Sequence, residues 1–229
     1  MKPTFAAAAL VCSWVASCPA QQPGVHPVSG RQYANVMSVG GAPWLVRPER
    51  IEEEEPDKAI DALDLKPGMN VADIGAGVGY MSFKMARKIG NGKVYAVDIQ
   101  PGMIEKLKEN AAREKITNVV PILGEVADPK VPAGQIDLAI MVDVYHELSE
   151  PQKMLAQIRK ALKPNGRLVL LEYRGEDPSI PIIPSHKMTV AQVKTELEAE
   201  GYVLSKTIET LPRQHILILT LAPSMKRVQ

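Results

Sequence analysis

Thiols are nearly missing from this chain. Of its 229 residues two are cysteines, and both, Cys12 and Cys18, fall within the first twenty. The remaining sequence therefore has no disulfide framework, no cysteine-based zinc cluster and no cysteine nucleophile. An excess of either charge is missing too. Lys and Arg total 27 against 26 Asp and Glu, a formal net charge of +1, which excludes the broad basic field that a nucleic-acid backbone attracts; no nucleic-acid partner is expected. The 16 glycines and 19 prolines are too few and too scattered for a collagen-like or disordered chain, and no internal repeat is found. With 45% hydrophobic and 23% charged residues the composition is that of a globular protein, long enough for one α/β domain and too short for two full ones.

The first segment carries Lys2, an apolar run from Phe5 to Val15, and small residues at Ala16, Ser17 and Ala20. This resembles a bacterial secretory signal over residues 1–20, and the run is too short for a stable membrane anchor. Val15-Ala16-Ser17-Cys18 is similar to a lipobox, so a lipid anchor at Cys18 and ordinary cleavage after Ala20 both stay open. Export to the periplasm, the medium or a lipid-anchored state is expected, with a cytoplasmic chain as the alternative if the leader is not a signal. The proline-rich stretch from Pro19 to Pro27 reads as a linker, residues 21–47 as linker and N-terminal cap, and 48–223 as the domain.

An acidic helical stretch is expected from about Glu49 to Leu63, with Glu52 to Glu55 as a solvated face. From Val71 onward short β-rich runs alternate with amphipathic ones. Strands are expected at 70–74, 94–98, 119–123, 136–142 and 167–172, with helices at 80–89, 103–115 and 151–162 between them, which makes successive βα units and a parallel sheet. Lys163-Pro164-Asn165-Gly166 reads as a turn ending a helix. Ser149 with Gln152, and Thr189 with Gln192, have the spacing of capping boxes. A helix over 189–200 and two closely linked β-like runs, 202–211 and 215–221, end the chain as an antiparallel hairpin at a sheet edge. The fold class is α/β, a doubly wound, Rossmann-like, mostly parallel sheet of seven strands.

The strongest local signal is Val71-Ala72-Asp73-Ile74-Gly75-Ala76-Gly77-Val78-Gly79-Tyr80, a strand that runs through a glycine turn into a helix. Its G-x-G-x-G spacing, with an acid two residues upstream, differs from the G-x-G-x-x-G of dinucleotide sites. A carboxylate there suits a ligand carrying ammonium and sulfonium groups better than a pyrophosphate. Asp98 ends the second strand, where a carboxylate can accept both hydroxyls of a ribose. Glu125 follows the third strand, Asp143-Val144-Tyr145-His146-Glu147 the fourth, and Glu172-Tyr173-Arg174 ends the fifth. Polar residues at these carboxyl ends converge on one crevice.

Together these residues resemble the class I S-adenosylmethionine-dependent methyltransferases, from about Gly68 to Leu221. The resemblance implies S-adenosylmethionine as cofactor. It places Asp73, Gly75, Gly77, Gly79 and Tyr80 at the loop, Asp98 and Ile99 at the ribose, Glu125 and Val126 at adenine, and Asp143 along the cofactor. The stretches Ala42 to Pro56 and Glu172 to Met188 are similar to exported bacterial methyltransferase-domain proteins of unassigned substrate, which puts Trp44, Arg47 and Arg50 on a cap over the site. The acceptor is then a small molecule.

Methyl transfer needs an acceptor held in line and, for some acceptors, a base. His146 is the candidate base or acceptor-binding group, with Glu172 as its orienter or an alternative base; a helix-capping role for His146 is the competing reading. Tyr145 and Tyr173 close the pocket or pack. His186 and Lys187 read as surface residues of a proline-flanked loop, and His215 as structural. No metal is expected, because Asp143 lacks an Asp-Asn partner, and cysteine-dependent arsenic chemistry is disfavoured. Two further readings stay open: an exported binding or sensing protein that keeps the pocket without turnover, and a dinucleotide oxidoreductase that binds NAD.

Overall fold

The structure is a computed structural model that describes residues 24–223. The leader, with Cys12 and Cys18, lies outside the described residues. β1 (Val71–Ile74), β2 (Val94–Asp98), β3 (Val119–Leu123), β4 (Ile136–Val142), β5 (Leu162–Arg174), β6 (Lys187–Met188), β7 (Tyr202–Ile208) and β8 (Gln214–Leu221) form one sheet. Seven strands run in the order β3-β2-β1-β4-β5-β8-β7, and the two-residue β6 pairs with β5 off this path. Strands β1 to β5 pair in parallel, while β8 is antiparallel to both β5 and β7. The hairpin expected at the C-terminus is present, with β7 at the edge.

Strand alternation divides the core. Ala72, Ile74, Ala139, Met141, Leu168 and Leu170 pack on α5 (Pro151–Ala161) and α6 (Val190–Ala199). Val71, Leu138, Ile140, Val169 and Leu171 face the opposite layer, with α2 (Pro56–Ala62) and α3 (Tyr80–Ile89). The apolar stripe of α3, Met81, Met85, Ala86 and Ile89, is spaced to cover that face. Burying Met85 and Ile89 completely contributes about 1.5–3 kcal/mol each. From β1 the chain moves outward through α3, β2, α4 (Pro101–Arg113) and β3, then crosses to the other side of β1 at β4. That reversal opens a crevice at the carboxyl ends of β1 and β4.

The structure departs from the sequence reading at several points. The acidic stretch is two helices, α1 (Arg50–Glu54) and α2, broken at Glu55, whose φ is +46°; Pro56 disfavours helical backbone at the residue before it. The turn at 163–166 lies inside β5, which starts at Leu162 and meets β4 with a register shift between Ile136 and Leu138. Ser149 makes no capping box, since α5 begins at Pro151 after an uncapped Glu150, whereas Thr189 and Gln192 form one at α6. The N-terminal stretch is not a free linker. Arg31 makes a forked pair with Glu196 of α6 (2.9 and 3.0 Å), Ser29 donates to the same carboxylate (2.6 Å), and the Ala34 amide donates to the His146 carbonyl (3.0 Å). The Glu196 side chain is fully buried and needs these donors. No helix among the described residues is long and apolar enough to cross a membrane.

Candidate active site

The crevice is floored by the turn after β1. Gly75 and Gly77 hold φ of +77° and +54°, a region that disfavours any Cβ, and a Cβ on Gly75 would also fall inside the Val144 side chain. The Gly75 and Ala76 amides donate to the Val97 carbonyl (2.8 and 2.9 Å), and the Gly77 amide donates to Asp98 Oδ2 (3.0 Å). The Gln100 amide donates to Asp98 Oδ1 (2.9 Å). Asp98 is thus fixed by backbone on both oxygens, each with lone-pair capacity left, and burial pushes its carboxyl above the ordinary carboxylate value.

One cavity of about 500 Å³ opens above this loop. Of the residues singled out in the sequence, Gly75, Gly77, Asp98, Ile99, Glu125, Val126, Asp143 and His146 line it. Four do not. Asp73 points to the opposite face of the sheet and accepts from Ser82 Oγ of α3 (2.5 Å), and burial raises its carboxyl to about 6. The Gly79 α-carbon faces the Phe83 ring, and Tyr80 stacks with Arg50 (4.7 Å); with Asp73, Tyr80 lines a smaller neighbouring recess. Glu172 is buried behind His146. Glu125 meets the cavity, but its carboxylate is mostly exposed and pairs with Lys130 (2.5 Å).

The donor set fits a nucleoside sulfonium. Asp98 can accept ribose hydroxyls, Ile99 and Val126 are exposed apolar walls for a flat base, and Asp143 Oδ1 is a buried oxygen with no hydrogen-bond partner. The other Asp143 oxygen accepts from Gln214 Nε2 of β8 (2.7 Å). Burial, then the nearby Glu54 and Glu172 charges, push the Asp143 carboxyl up to about 8.

The N-terminal cap closes one end of the cavity. Trp44, Arg47 and Arg50 line it as expected, with Arg47 stacked 3.6 Å over the Trp44 ring. Glu54, read in the sequence as solvated, is buried. It accepts from Arg50 Nε (2.5 Å), Arg47 Nη2 (2.8 Å) and the Tyr173 hydroxyl (2.8 Å). The i,i+4 spacing of Arg50 and Glu54 on α1 turns the carboxylate inward onto two guanidiniums, and that pairing is what makes its burial tolerable.

Beyond β4, Tyr145–Glu147 form one 3₁₀ turn. The two oxygens of Glu172 accept from the Tyr145 amide (3.0 Å) and bond His146 Nδ1 (2.5 Å). Burial alone would lower the His146 imidazole, but the charge and hydrogen bond of Glu172, together with the Asp143 and Glu147 charges, outweigh it and the net shift is upward. His146 Nε2 is engaged by His186 Nδ1 at 3.0 Å, and His186, held low by burial and then by His146, lines the cavity. Glu147 also lines it, its carboxyl raised to about 7 by burial. Glu172 is thus buried behind the His146 ring with both oxygens engaged, the position of an orienting group. His186, read in the sequence as surface because of its proline-flanked setting, instead faces the cavity against His146, and Lys187 is buried with its amine on the Asp177 and Ile180 carbonyls. Tyr145 packs in the core and His215 is fully buried, as structural residues.

The fold and the crevice at its switch point define an α/β protein built around a nucleoside-type ligand. A family profile described as a methyltransferase domain matches residues 65–216, and the chain belongs to the class I S-adenosylmethionine-dependent methyltransferases. The crystal structure of an S-adenosylmethionine-dependent methyltransferase from Aquifex aeolicus superposes with a TM-score of 0.77 at 26% identity, covering 82% of this chain and all of that one. An arsenite methyltransferase of Halobacterium salinarum is 33% identical over 107 residues, 46% of this chain and 27% of its own length. A protein-L-isoaspartate O-methyltransferase of Pyrococcus horikoshii is 32% identical over 111 residues, 48% of this chain and 47% of its own. The chain thus spans about a quarter to a half of the length of these two curated relatives.

Proposed function

We propose that the protein transfers a methyl group from S-adenosylmethionine to a small acceptor with an apolar body. One observation carries this reading: a single cavity holds the glycine loop and Asp98 at one side and His146, Glu147 and His186 at the other. Asp98 and the Gly75–Gly77 turn bind the nucleoside, and Ile99 and Val126 flank its base. Bound S-adenosylmethionine supplies a methyl on a positive sulfur, which passes to the acceptor as the new bond forms and the carbon–sulfur electron pair returns to sulfur. Trp44, Leu148, Met154, Ile182 and Ile183 line the same cavity and supply apolar surface for the acceptor, excluding water from the line of attack. His146, locked by Glu172, sets the place of the acceptor's reacting atom.

The relatives named above are methyltransferases, which disfavours a pocket without turnover. Arsenic held by protein thiols is not the acceptor on this reading, since the only cysteines are Cys12 and Cys18. Export remains our proposal for the leader. The test is incubation of the protein with methyl-labelled S-adenosylmethionine and fractionated metabolite extracts. A labelled small molecule that depends on the protein is expected; cofactor binding with no labelled product from any fraction would contradict transfer.

A further inference from the structure

We propose that His146 Nε2, His186 Nδ1 and the Glu147 carboxylate form a binding site for one divalent transition-metal ion of the zinc type, with an open coordination position toward the cavity. The inference rests on the reading above only for what the open position takes. One potential ligand atom from each residue lies within 4.8 Å of those of the other two. His146 Nε2 and His186 Nδ1 are 3.0 Å apart, and Glu147 Oε1 is 3.8 Å from the same His186 nitrogen. Two nitrogens on a tetrahedral zinc, each 2.0–2.1 Å from the metal, are about 3.3 Å apart. The two histidines already stand at that separation within a few tenths of an ångström, and Glu147 needs a side-chain adjustment of about an ångström to close the set.

Two further observations point to a cation. Metal-binding histidines characteristically give their other ring nitrogen to a carboxylate, which fixes the ring and makes it a better ligand. His146 does this with Glu172 at 2.5 Å, and the second oxygen of Glu172 is held by the Tyr145 amide at 3.0 Å. A residue whose only task was to cap a helix would have no need of that arrangement. The second is charge. Glu172 is fully buried and the Glu147 side chain is only 14% exposed. Among the described residues both are ion-paired to histidines alone, at His146 and His186. A divalent ion supplies the positive charge that two clustered carboxylates lack. On binding, the proton now between the two rings is displaced to solvent or to the outer nitrogen of His186.

Two imidazoles and one carboxylate favour zinc or a neighbouring transition ion over magnesium or calcium, which prefer all-oxygen sets. Three protein ligands leave a position open, as in catalytic rather than structural zinc sites. All three ligands line the cavity, so that position takes the acceptor through a hydroxyl or thiol oxygen or sulfur. Coordination favours loss of its proton to solvent, and the resulting alkoxide or thiolate bonds the methyl carbon as the carbon–sulfur pair returns to the cofactor's sulfur.

The test uses untagged full-length protein with Cys12 and Cys18 changed to Ser, stripped by chelator and dialysed against zinc. One zinc per chain is expected. His186→Ala, in the least buried ligand, should lower zinc affinity at least tenfold, and Glu172→Gln should weaken it about 10–100-fold through His146. Both variants should keep S-adenosylmethionine binding within a few-fold, which shows that they are folded. Less than a fifth of an equivalent bound, or unchanged zinc affinity in His186→Ala, would overturn the site. Such a result with cofactor binding intact leaves the methyltransferase reading standing. Zinc binding without cofactor binding would sink that reading and spare the site.

Discussion

Asp143 offers a pH signature that can be worked out in advance. It sits at the end of β4 with φ of +54°, one oxygen on Gln214 and the other without a partner. Burial and the Glu54 and Glu172 charges, opposed by the Gln214 hydrogen bond and the Arg50 charge, set its carboxyl at about 8, against an ordinary 3.8. Between pH 7 and 9 the unfolded chain has already lost this proton. The native protein goes from about nine-tenths protonated to about one-tenth, so it is the native state that binds more protons and stability falls as pH rises, by about 1.4 kcal/mol over the interval. Asn at 143 keeps the acceptor for Gln214, tolerates a positive φ and has no proton to lose. Urea unfolding of wild type and Asp143→Asn, both without cofactor, should show the variant gaining about 1.4 kcal/mol on wild type from pH 7 to pH 9. A difference that stays constant across the two pH values would mean that Asp143 does not release its proton in this interval and that its surroundings have been misjudged.

Arg31→Ala removes the forked partner of the buried Glu196 while His26 and Ser29 remain near it; a loss of about 3 kcal/mol is expected, read as a lower urea midpoint, and a loss under about 1 kcal/mol would show the N-terminal strap to be incidental. Intact-mass measurement of protein from the native host should find a mature chain starting at Cys18 with lipid or at Gln21 without it. A full-length chain starting at Met1 would reject export.

Much of the fold was readable because its signals are local and repeated. The alternation of apolar strands with helical runs such as Met81, Met85 and Ile89 names the elements, and G-x-G-x-G followed by Asp98 names one side of the pocket. What stayed hidden depends on contacts between distant segments. Asp73 belongs to the motif by spacing, yet the strand's alternation sends it to Ser82 on the other face. Glu54 looks solvated in a run of four glutamates until Arg47, Arg50 and Tyr173 are seen to meet on it. His186 lies forty residues from His146, in a loop whose prolines read as surface, and only the fold brings the two rings to 3.0 Å. Arg31 and Glu196 are farther apart still, and no periodicity connects an N-terminal strap to a late helix.

The most direct test of the cofactor site is calorimetric titration of S-adenosylmethionine into wild type and Asp98→Ala, with melting curves to show that both are folded. Wild type should bind one molecule per chain. The variant loses a charged acceptor, at about 1.5–3 kcal/mol per hydrogen bond, and should bind at least about tenfold more weakly. A folded Asp98→Ala protein with unchanged affinity, or a wild type that takes up no S-adenosylmethionine, would contradict the placement of the nucleoside over the Gly75–Gly77 turn.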